Sequence, residues 1–342
     1  MHALRASSYG PASTSLEYVK VKLPEITSQT QVLVQIYATG INPIEAKLRS
    51  GNITHLIKMP TIFGTDFSGV IVKKGSKVSS FEVGDEVYGK TKPDGTYAEY
   101  AVVDVFKNAI AKKPTHTSFI DAAALGVASV TAFEAVVSKS RLNQLSKDTT
   151  PSIIIIGASG GVGTYAVQIA KAFGVHVVAV CSGKNASLVK SLGADETVDY
   201  LSQEAIESLA YRKNTFDFIV DCVGGDNYYN KMAPTIKNGG VYVSAAGPVK
   251  DIGASNVSTL DYLFIVKTFI FRSMFSHYKY VMITGLPKKY LTEGILPLLE
   301  KKAIKSIALP ENVFGLEDGA KAHEAIESHR TIGKIVLKVK TE

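Results

Sequence analysis

The pattern of hydrophobic and polar positions changes near residue 121 and divides the chain into two parts. Before that point, residues 31–38 alternate between apolar and polar side chains, and residues 67–73 form a second short run that ends in Lys-Gly-Ser. Turn sequences recur often, with no long helical pattern between them. Short strands at this spacing predict a compact, barrel-like all-β module.

After residue 121 the pattern becomes an alternation of helices and strands. An alanine-rich segment that begins at Asp121 predicts an entry helix. Strands are predicted over residues 153–156, 176–181, 197–200, 216–223 and 241–245, with helices over 186–192 and 203–211 between them. This alternation predicts a doubly wound parallel sheet, and hence an α/β fold for the second part.

The last part of the chain carries a third pattern. Residues 291–301 and 319–327 are predicted helices, and residues 334–340 alternate as a strand. From the pattern alone, this tail either extends the parallel sheet or returns to the first module.

A glycine-rich turn follows the four isoleucines at 153–156. Gly157, Gly160, Gly161 and Gly163 crowd into this turn, and apolar residues then recur at helical spacing as far as Gly174. A buried strand, a glycine turn and an amphipathic helix together form a dinucleotide-binding unit, in which backbone N–H groups and the helix N-terminus receive a pyrophosphate. The alternative is a tight strand-to-helix turn that binds nothing.

The end of the next strand indicates which dinucleotide is bound. An NAD-binding unit places an acidic residue there to bind the ribose 2′-hydroxyl, but this strand ends in Cys-Ser-Gly-Lys-Asn. Ser182 and Lys184 supply a hydroxyl and a cation, which suit the 2′-phosphate of NADPH, and Tyr200 could add a hydroxyl or a stacking face. The alternative is that Lys184 is a solvated loop residue.

Composition and charge narrow the class of protein. The chain has 342 residues, of which 46% are hydrophobic and 20% charged, with a formal net charge of +7. No hydrophobic run follows a basic start, which favours the cytosol. No basic run alternates with aromatics, so nucleic acid is not an expected partner. The basic excess suits a phosphate-rich cofactor, weak contact with an anionic membrane, or simply a solvated surface.

Cysteines and histidines offer no metal site or disulfide framework. Cys181 and Cys222 are the only cysteines, and both are expected to be small core residues. The histidines show no metal-like spacing, and His323 and His329 are expected on the surface.

With these residues in hand, the chain resembles the zinc-free, quinone oxidoreductase-like branch of the medium-chain dehydrogenase/reductase superfamily. Within that branch it is most similar to plant enone oxidoreductases and chloroplast-envelope quinone oxidoreductase homologues. The stretches that carry the resemblance run along the whole chain: MHALRASSYG, GINPIEAKLRSG, FGTDFSGVI, FEVGDEVYG, ASGGVGTYAVQIAK, VKSLGADETVDY, DCVGG and GKIVLKV.

The resemblance implies a domain order and a set of cofactor contacts. It implies a GroES-like catalytic domain over residues 1–122, a Rossmann NADPH-binding domain over 123–265, and a cleft segment with a C-terminal return over 266–342. The cofactor residues it implies are Thr131, Gly160, Gly161, Val162, Gly163, Ser182, Lys184, Tyr200, Val223, Gly224, Gly247 and Lys334.

Departures from zinc-dependent relatives indicate chemistry without a metal. Those relatives carry Cys where Asn42-Pro43 lies and Gly-His-Glu where Gly64-Thr65-Asp66 lies, and the usual Asp after Asn-Pro is Glu45 here. We therefore expect NADPH-dependent reduction of an enone, alkenal or quinone, with hydride added at the β-carbon. Asn42 and Lys47 are the candidate donors to the substrate oxygen; the alternatives are a turn-stabilising asparagine and a surface lysine.

Other possibilities follow from the same residues. Residues 262–280, rich in aromatic and aliphatic side chains, would line the cleft or a subunit contact, or belong to the domain core. A monomer and a homodimer are both compatible with the sequence. The alternatives to the two-electron reductase are an NADPH-binding regulator with little turnover, a one-electron quinone reductase, and a protein that attaches peripherally to an organelle membrane.

Overall fold

The computed structural model describes residues 1–52, 57–92, 95–145, 149–247, 259–274, 276–283 and 287–340. The chain divides into two compact units. Unit 1 comprises Met1–Val130, Pro287–Glu300 and Lys305–Glu342, and unit 2 comprises Thr131–Leu286 and Lys301–Ile304. The predicted boundaries lay at 122/123 and 265/266. In the structure, residues up to 286 stay with unit 2, and most of the remaining tail belongs to unit 1.

The elements include the strands and helices that the sequence predicts, together with further ones that it does not predict. Before residue 150 they are β1 (His2–Ala6), α1 (Ala12–Ser15), β2 (Leu16–Lys20), β3 (Gln31–Ile41), α2 (Pro43–Ser50), β4 (Thr61–Ile62), β5 (Asp66–Lys74), β6 (Glu86–Lys90), β7 (Tyr100–Asp104), β8 (Ala109–Lys112), α3 (Phe119–Ala123) and α4 (Gly126–Phe133), which continues as a π-helical turn (Glu134–Lys139).

From residue 152 onward helices and strands alternate. They are β9 (Ser152–Ile156), α5 (Gly161–Ala172), β10 (His176–Cys181), α6 (Ala186–Ser191), β11 (Glu196–Asp199), α7 (Gln203–Ala210), β12 (Phe216–Asp221), α8 (Asp226–Met232), β13 (Ile236–Ser244), α9 (Thr259–Met274), β14 (Lys279–Met282), a π-helical turn (Tyr290–Ile295), α10 (Leu296–Glu300), β15 (Val313–Gly315), α11 (Gly319–Glu327) and β16 (Ile335–Lys338).

Unit 1 is built on a mainly antiparallel sheet around the long strand β3, in which β15 and β16 form a parallel pair. Among the described residues its larger sheet runs β15-β16-β3-β5-β6-β8, with β7 also paired to β3, and a smaller sheet runs β2-β1-β4. β16 pairs antiparallel with β3, with Ile335 opposite Ile41. The C-terminal tail therefore returns to the first module, and this pairing decides between the two possibilities that the sequence left open.

Unit 2 confirms the predicted doubly wound parallel sheet. Its described strands run β11-β10-β9-β12-β13-β14, and every pairing is parallel. The four isoleucines of β9 are fully buried because helices cover both faces of such a sheet. Cys181 is buried and Cys222 half-buried, in keeping with their expected place in the core.

Helix α9 has one buried and one exposed face. Its buried face is anchored by Arg272, whose guanidinium lies 3.6 Å from the ring centre of Tyr229. The opposite face exposes large apolar side chains: Leu263, Phe264, Val266, Ile270, Phe271 and Met274. The segment that the sequence singled out thus contributes Tyr278 and Tyr280 to the core and an apolar surface on α9. None of the helices in the described part is long and apolar enough to cross a membrane.

His323 is buried, and its predicted surface position is therefore wrong, whereas His329 is exposed as expected. The ring of His323 packs edge-on against the ring of Tyr97, with 5.7 Å between the ring centres. Neither ring nitrogen has a hydrogen-bond partner in the described part of the chain. Burial, together with the nearby charge of Arg49, lowers the pKa of His323 to about 3. The polar pattern of α11 misled the prediction because an imidazole kept neutral can pack as an apolar ring.

We predict that His323 makes the fold acid-sensitive. The unfolded chain binds a proton at this residue near pH 6.5 and the folded chain does not, so folding stability should fall as the pH falls below about 6.5. Between pH 6.5 and 4, the free energy of unfolding should therefore fall by about 3 kcal/mol less in His323→Leu than in the unaltered protein. Urea unfolding across this range measures the difference, with His329→Leu at an exposed position as the control. An unchanged pH slope in His323→Leu would contradict the prediction.

Candidate functional site

The glycine turn of unit 2 leaves the N-terminus of α5 open. Gly157 has φ +79°, a conformation that favours glycine, and it turns the chain as β9 ends. Gly163 has no room for a side chain, because a Cβ there would lie 2.2 Å from the carbonyl oxygen of Gly157. The residue that precedes the helix is Gly160, and no side chain caps the first turn. The N–H groups of Gly161 and Val162 are thus placed to bind an anion, and this turn fits a dinucleotide pyrophosphate.

The ends of β10 and β11 bring together the residues expected to select the cofactor. The two strands are parallel neighbours, with Cys181 opposite Asp199. Ser182 follows β10 and is buried, Lys184 is exposed in the next turn, and Tyr200 follows β11 with its side chain half-exposed. Asn185 ties this turn to the glycine turn by donating from Nδ2 to Ser159 Oγ at 3.1 Å.

Asp199 lies at the same sheet edge and was missed by the sequence analysis. A Cβ at Gly183 would lie 2.5 Å from its Oδ2, so the carboxylate sits directly against the turn after β10. An acid at this place would bind ribose hydroxyls and oppose a 2′-phosphate. The sequence carries a signal for this residue, because Asp199 ends the strand beside β10 and directly precedes Tyr200.

Three further predicted cofactor residues lie in the turns that follow β12 and β13. Val223 and Gly224 both donate their N–H groups to Asp221 Oδ1 at 2.9 Å, and Gly247 donates to Ser244 Oγ at 2.9 Å. The turns are close, since a Cβ on Gly224 would lie 2.9 Å from the carbonyl oxygen of Gly247. Asp221, which orients the first turn, is buried, and burial raises its pKa. Thr131 is buried near the end of α4.

In unit 1, four polar side chains form a buried group that we call the Asn42 cluster: Asn42, Glu45, Asp66 and Lys334. All four are at most 4% exposed. They come from the start of α2, the start of β5 and the residue before β16. Strand pairing dictates this meeting, because β3 is paired with both β5 and β16.

Hydrogen bonds within the Asn42 cluster use the whole Asn42 side chain. Its Nδ2 donates to Asp66 Oδ2 at 3.1 Å and to Glu45 Oε1 at 3.3 Å, and its Oδ1 accepts from Lys334 Nζ at 2.7 Å. Glu45 Oε2 also accepts from the backbone N–H of Asn42 at 2.8 Å, as in a helix capping box. A donor role toward substrate would require Nδ2 to exchange one of these carboxylates for the substrate oxygen.

The ammonium of Lys334 is equally engaged. Its three N–H groups are directed at the carbonyl oxygen of Ile41 at 2.8 Å, at Asn42 Oδ1, and at Asp66 Oδ2 at 3.3 Å. If Lys334 contacted a cofactor, as the resemblance implies, its ammonium would have to give up at least one of these three hydrogen bonds. Lys47, the other predicted donor, is half-buried one turn further along α2.

The electrostatics of the Asn42 cluster centre on Glu45. Its complete burial, and secondly the nearby Asp66 carboxylate, raise the pKa of Glu45 to about 7; hydrogen bonds and Lys334 only partly oppose the shift. Asp66 is better compensated, since its Oδ1 accepts from the N–H of Val127 at 2.7 Å and its Oδ2 from Lys334 and Asn42. Within the described ranges, no group of three or more His, Cys, Asp or Glu residues could hold a metal ion.

Comparison with known proteins matches both halves of this architecture. Residues 28–115 match the alcohol dehydrogenase GroES-like domain, and residues 192–337 match the zinc-binding dehydrogenase family model. The chain is 32% identical to the chloroplastic quinone-oxidoreductase homolog of Spinacia oleracea, over 98% of each chain. It is 32% identical to the 2-methylene-furan-3-one reductase of Solanum lycopersicum, over 98% of this chain and 79% of that protein.

A solved structure has a similar fold along the whole chain. The quinone oxidoreductase from Coxiella burnetii superposes with a TM-score of 0.79 at 27% identity, over 99% of both chains. A GroES-like domain and a domain with a parallel sheet together form the fold of the medium-chain dehydrogenases and reductases, and the relatives of this chain include NAD(P)H oxidoreductases. The chain belongs to the medium-chain dehydrogenase/reductase superfamily, among its quinone oxidoreductase-like proteins.

We predict that Gly163 cannot be replaced without loss of stability. The new Cβ of Gly163→Ala would meet backbone atoms at 2.2 and 2.7 Å, which must move apart, and the cost should be about 1–3 kcal/mol of unfolding free energy. Gly160→Ala is the matched control, since its Cβ would find its nearest neighbour at 3.4 Å. Urea unfolding of both variants gives the comparison. Equal stability of the two variants would show that the turn is less tightly packed than described.

Proposed function

We propose that this protein is a zinc-independent, NADPH-dependent reductase of α,β-unsaturated carbonyl compounds or quinones. The observation that carries the proposal is the similarity along nearly the whole chain to proteins named as a quinone-oxidoreductase homolog and a 2-methylene-furan-3-one reductase. The open N-terminus of α5 supports the binding of a dinucleotide.

Each unit contributes a separate part of the proposed reaction. In unit 2, Gly160, Gly161, Val162 and Gly163 would hold the pyrophosphate, with Val223, Gly224, Gly247 and Thr131 along the rest of the cofactor. When bound, NADPH supplies a hydride to the β-carbon of the substrate. In unit 1, Asn42 and Lys47 remain the proposed donors to the substrate oxygen, where negative charge develops. A conjugated carbonyl delocalises that charge, so it needs less polarisation than an isolated ketone.

The first test is NADPH oxidation against a panel of enones, alkenals and quinones, with NADH run in parallel. We expect rapid consumption of NADPH and a saturated carbonyl product from the enones. Tight NADPH binding with no turnover of any panel substrate would favour the alternative, an NADPH-binding regulator with little catalytic activity. Semiquinone in the quinone reactions would favour one-electron reduction.

The choice of NADPH over NADH depends on the balance between Lys184 and Asp199. A cation beside a 2′-phosphate forms a charge-assisted contact, which the carboxylate of Asp199 opposes. Lys184→Ala should raise the KM for NADPH about tenfold and leave the KM for NADH nearly unchanged. Lys190→Ala, an exposed lysine on the following helix, is the control. If NADH is the better substrate of the unaltered protein, Asp199 sets the preference and the NADPH assignment fails.

The exposed apolar face of α9 supports a partner beyond the substrate. Such a face suits either a second copy of the chain or peripheral contact with a membrane surface, in the cytosol or on an organelle. Lys267 lies on the same face as the exposed Leu263 and Phe271, which is compatible with contact with an anionic surface. Sedimentation and flotation with anionic liposomes distinguish a homodimer, a monomer and a membrane-bound protein.

A further inference from the structure

The Asn42 cluster contains more negative than positive groups. Two carboxyl groups, those of Glu45 and Asp66, lie on either side of the same amide nitrogen, and both are fully buried. One ammonium, that of Lys334, contacts Asp66 and Asn42. With both carboxyls ionised, this buried group would hold a net charge of −1, which a low-dielectric interior disfavours.

Among the described residues, Lys334 is the cation that acts on the charge of Glu45. Arg49, one turn further along α2, is ion-paired with Glu327 of α11 and bonded to the carbonyl oxygen of Gly10. His323 of α11 is neutral over the physiological range because its pKa is lowered to about 3. Tyr97 also stays neutral, since burial raises the pKa of its hydroxyl well above 10. Among the described residues, the charged groups that act on Glu45 are Asp66 and Lys334, and Tyr97 also interacts with it. Lys47 and Arg49 lie on the same helix. His323, Glu324 and Glu327 of α11 act on Arg49.

We propose that Glu45 holds a proton in the Asn42 cluster at neutral pH and acts as a positioning residue, whose ionisation changes the charge beside Asn42 and so sets the pH dependence of reduction. The proton stays on Glu45 through the reaction and is not transferred to the substrate. This inference rests on the proposed function, because it assumes that negative charge develops on a substrate oxygen near Asn42.

The expected direction follows from charge. With Glu45 protonated, the negative charge of Asp66 balances the positive charge of Lys334 and the cluster is neutral. With Glu45 ionised, both faces of Asn42 Nδ2 meet carboxylates, which hold its N–H groups away from a substrate oxygen and repel the charge that develops there. The raised pKa of Glu45, about 7, places this change in the physiological range. Turnover should therefore be high at pH 6 and fall as the pH rises through 7.

The proton can be observed without any substrate. Infrared spectra of protein labelled with ¹³C-glutamate should show the C=O band of a protonated glutamic acid at pH 6, lost with a midpoint near pH 7. Glu45→Gln should remove this band, and Glu311→Gln, at an exposed position, should leave it in place. Absence of a glutamate band that titrates between pH 5.5 and 8.5, or its persistence in Glu45→Gln, would overturn the proposal.

Two charge variants test the origin of the shift and do not depend on Glu45→Gln being folded. Asp66→Asn removes the neighbouring anion and should move the midpoint at least one pH unit lower. Lys334→Met removes the cation and should move it higher. Shifts in the opposite directions, or none in either variant, would show that the charges of the cluster do not control Glu45.

The kinetic consequence is measured separately. In the unaltered protein, kcat should fall about tenfold between pH 6 and 8, because ionisation of Glu45 alone would abolish activity. The KM for NADPH should change little over this range. Glu45→Gln should give a flat profile over this range. A fall that persists in Glu45→Gln would refute the positioning role even if the infrared band titrates. If no panel substrate is reduced at any pH, the proposed function fails, whereas the infrared titration still decides whether the proton is there.

Discussion

The ion pair between Lys334 and Asp66 is the contact on which the site in unit 1 depends. The two residues are 268 positions apart in the sequence, and both are buried, so neither charge can be solvated if the other is lost. Removing one partner of such a pair costs about 3–5 kcal/mol, because it leaves an uncompensated charge in the interior. The pair thereby holds the returning strand β16 in register with β3 and fixes the amide of Asn42 between them.

The glycine turn of unit 2 offers an anion a different kind of contact. This turn uses no charged side chain; it depends on backbone N–H groups at the start of α5 and on the close approach of Gly163 to Gly157. Charged side chains lie at the neighbouring strand ends, where we propose that Lys184 favours NADPH and Asp199 favours NADH. Neutral backbone dipoles can hold a pyrophosphate in any dinucleotide, whereas a cation and an acid at the ribose discriminate between them.

By the resemblance given in the sequence analysis, zinc-dependent relatives carry cysteine and glutamate at the positions of Asn42 and Asp66, two members of the Asn42 cluster. In this chain those positions hold an amide and a carboxylate, and the ammonium of Lys334 supplies the positive charge between them. A fixed ammonium is saturated by its three hydrogen bonds, so it orients neighbouring groups and does not bind a substrate oxygen directly. The side chains around Lys334 are therefore better placed to contact a substrate than Lys334 itself.

The sequence by itself determined the fold class, the glycine turn and the parallel sheet, because each depends on local periodicity and on spacing within one strand-turn-helix unit. Ser182, Lys184 and Tyr200 could be grouped for the same reason, since they follow neighbouring strands. Only the tertiary structure decided that the tail pairs with β3, that His323 is buried, and that Lys334, Asn42, Glu45 and Asp66 form one cluster. Those facts depend on contacts between residues hundreds of positions apart, and burial, which sets the protonation of Glu45 and His323, is a property of the packed chain that no local pattern records.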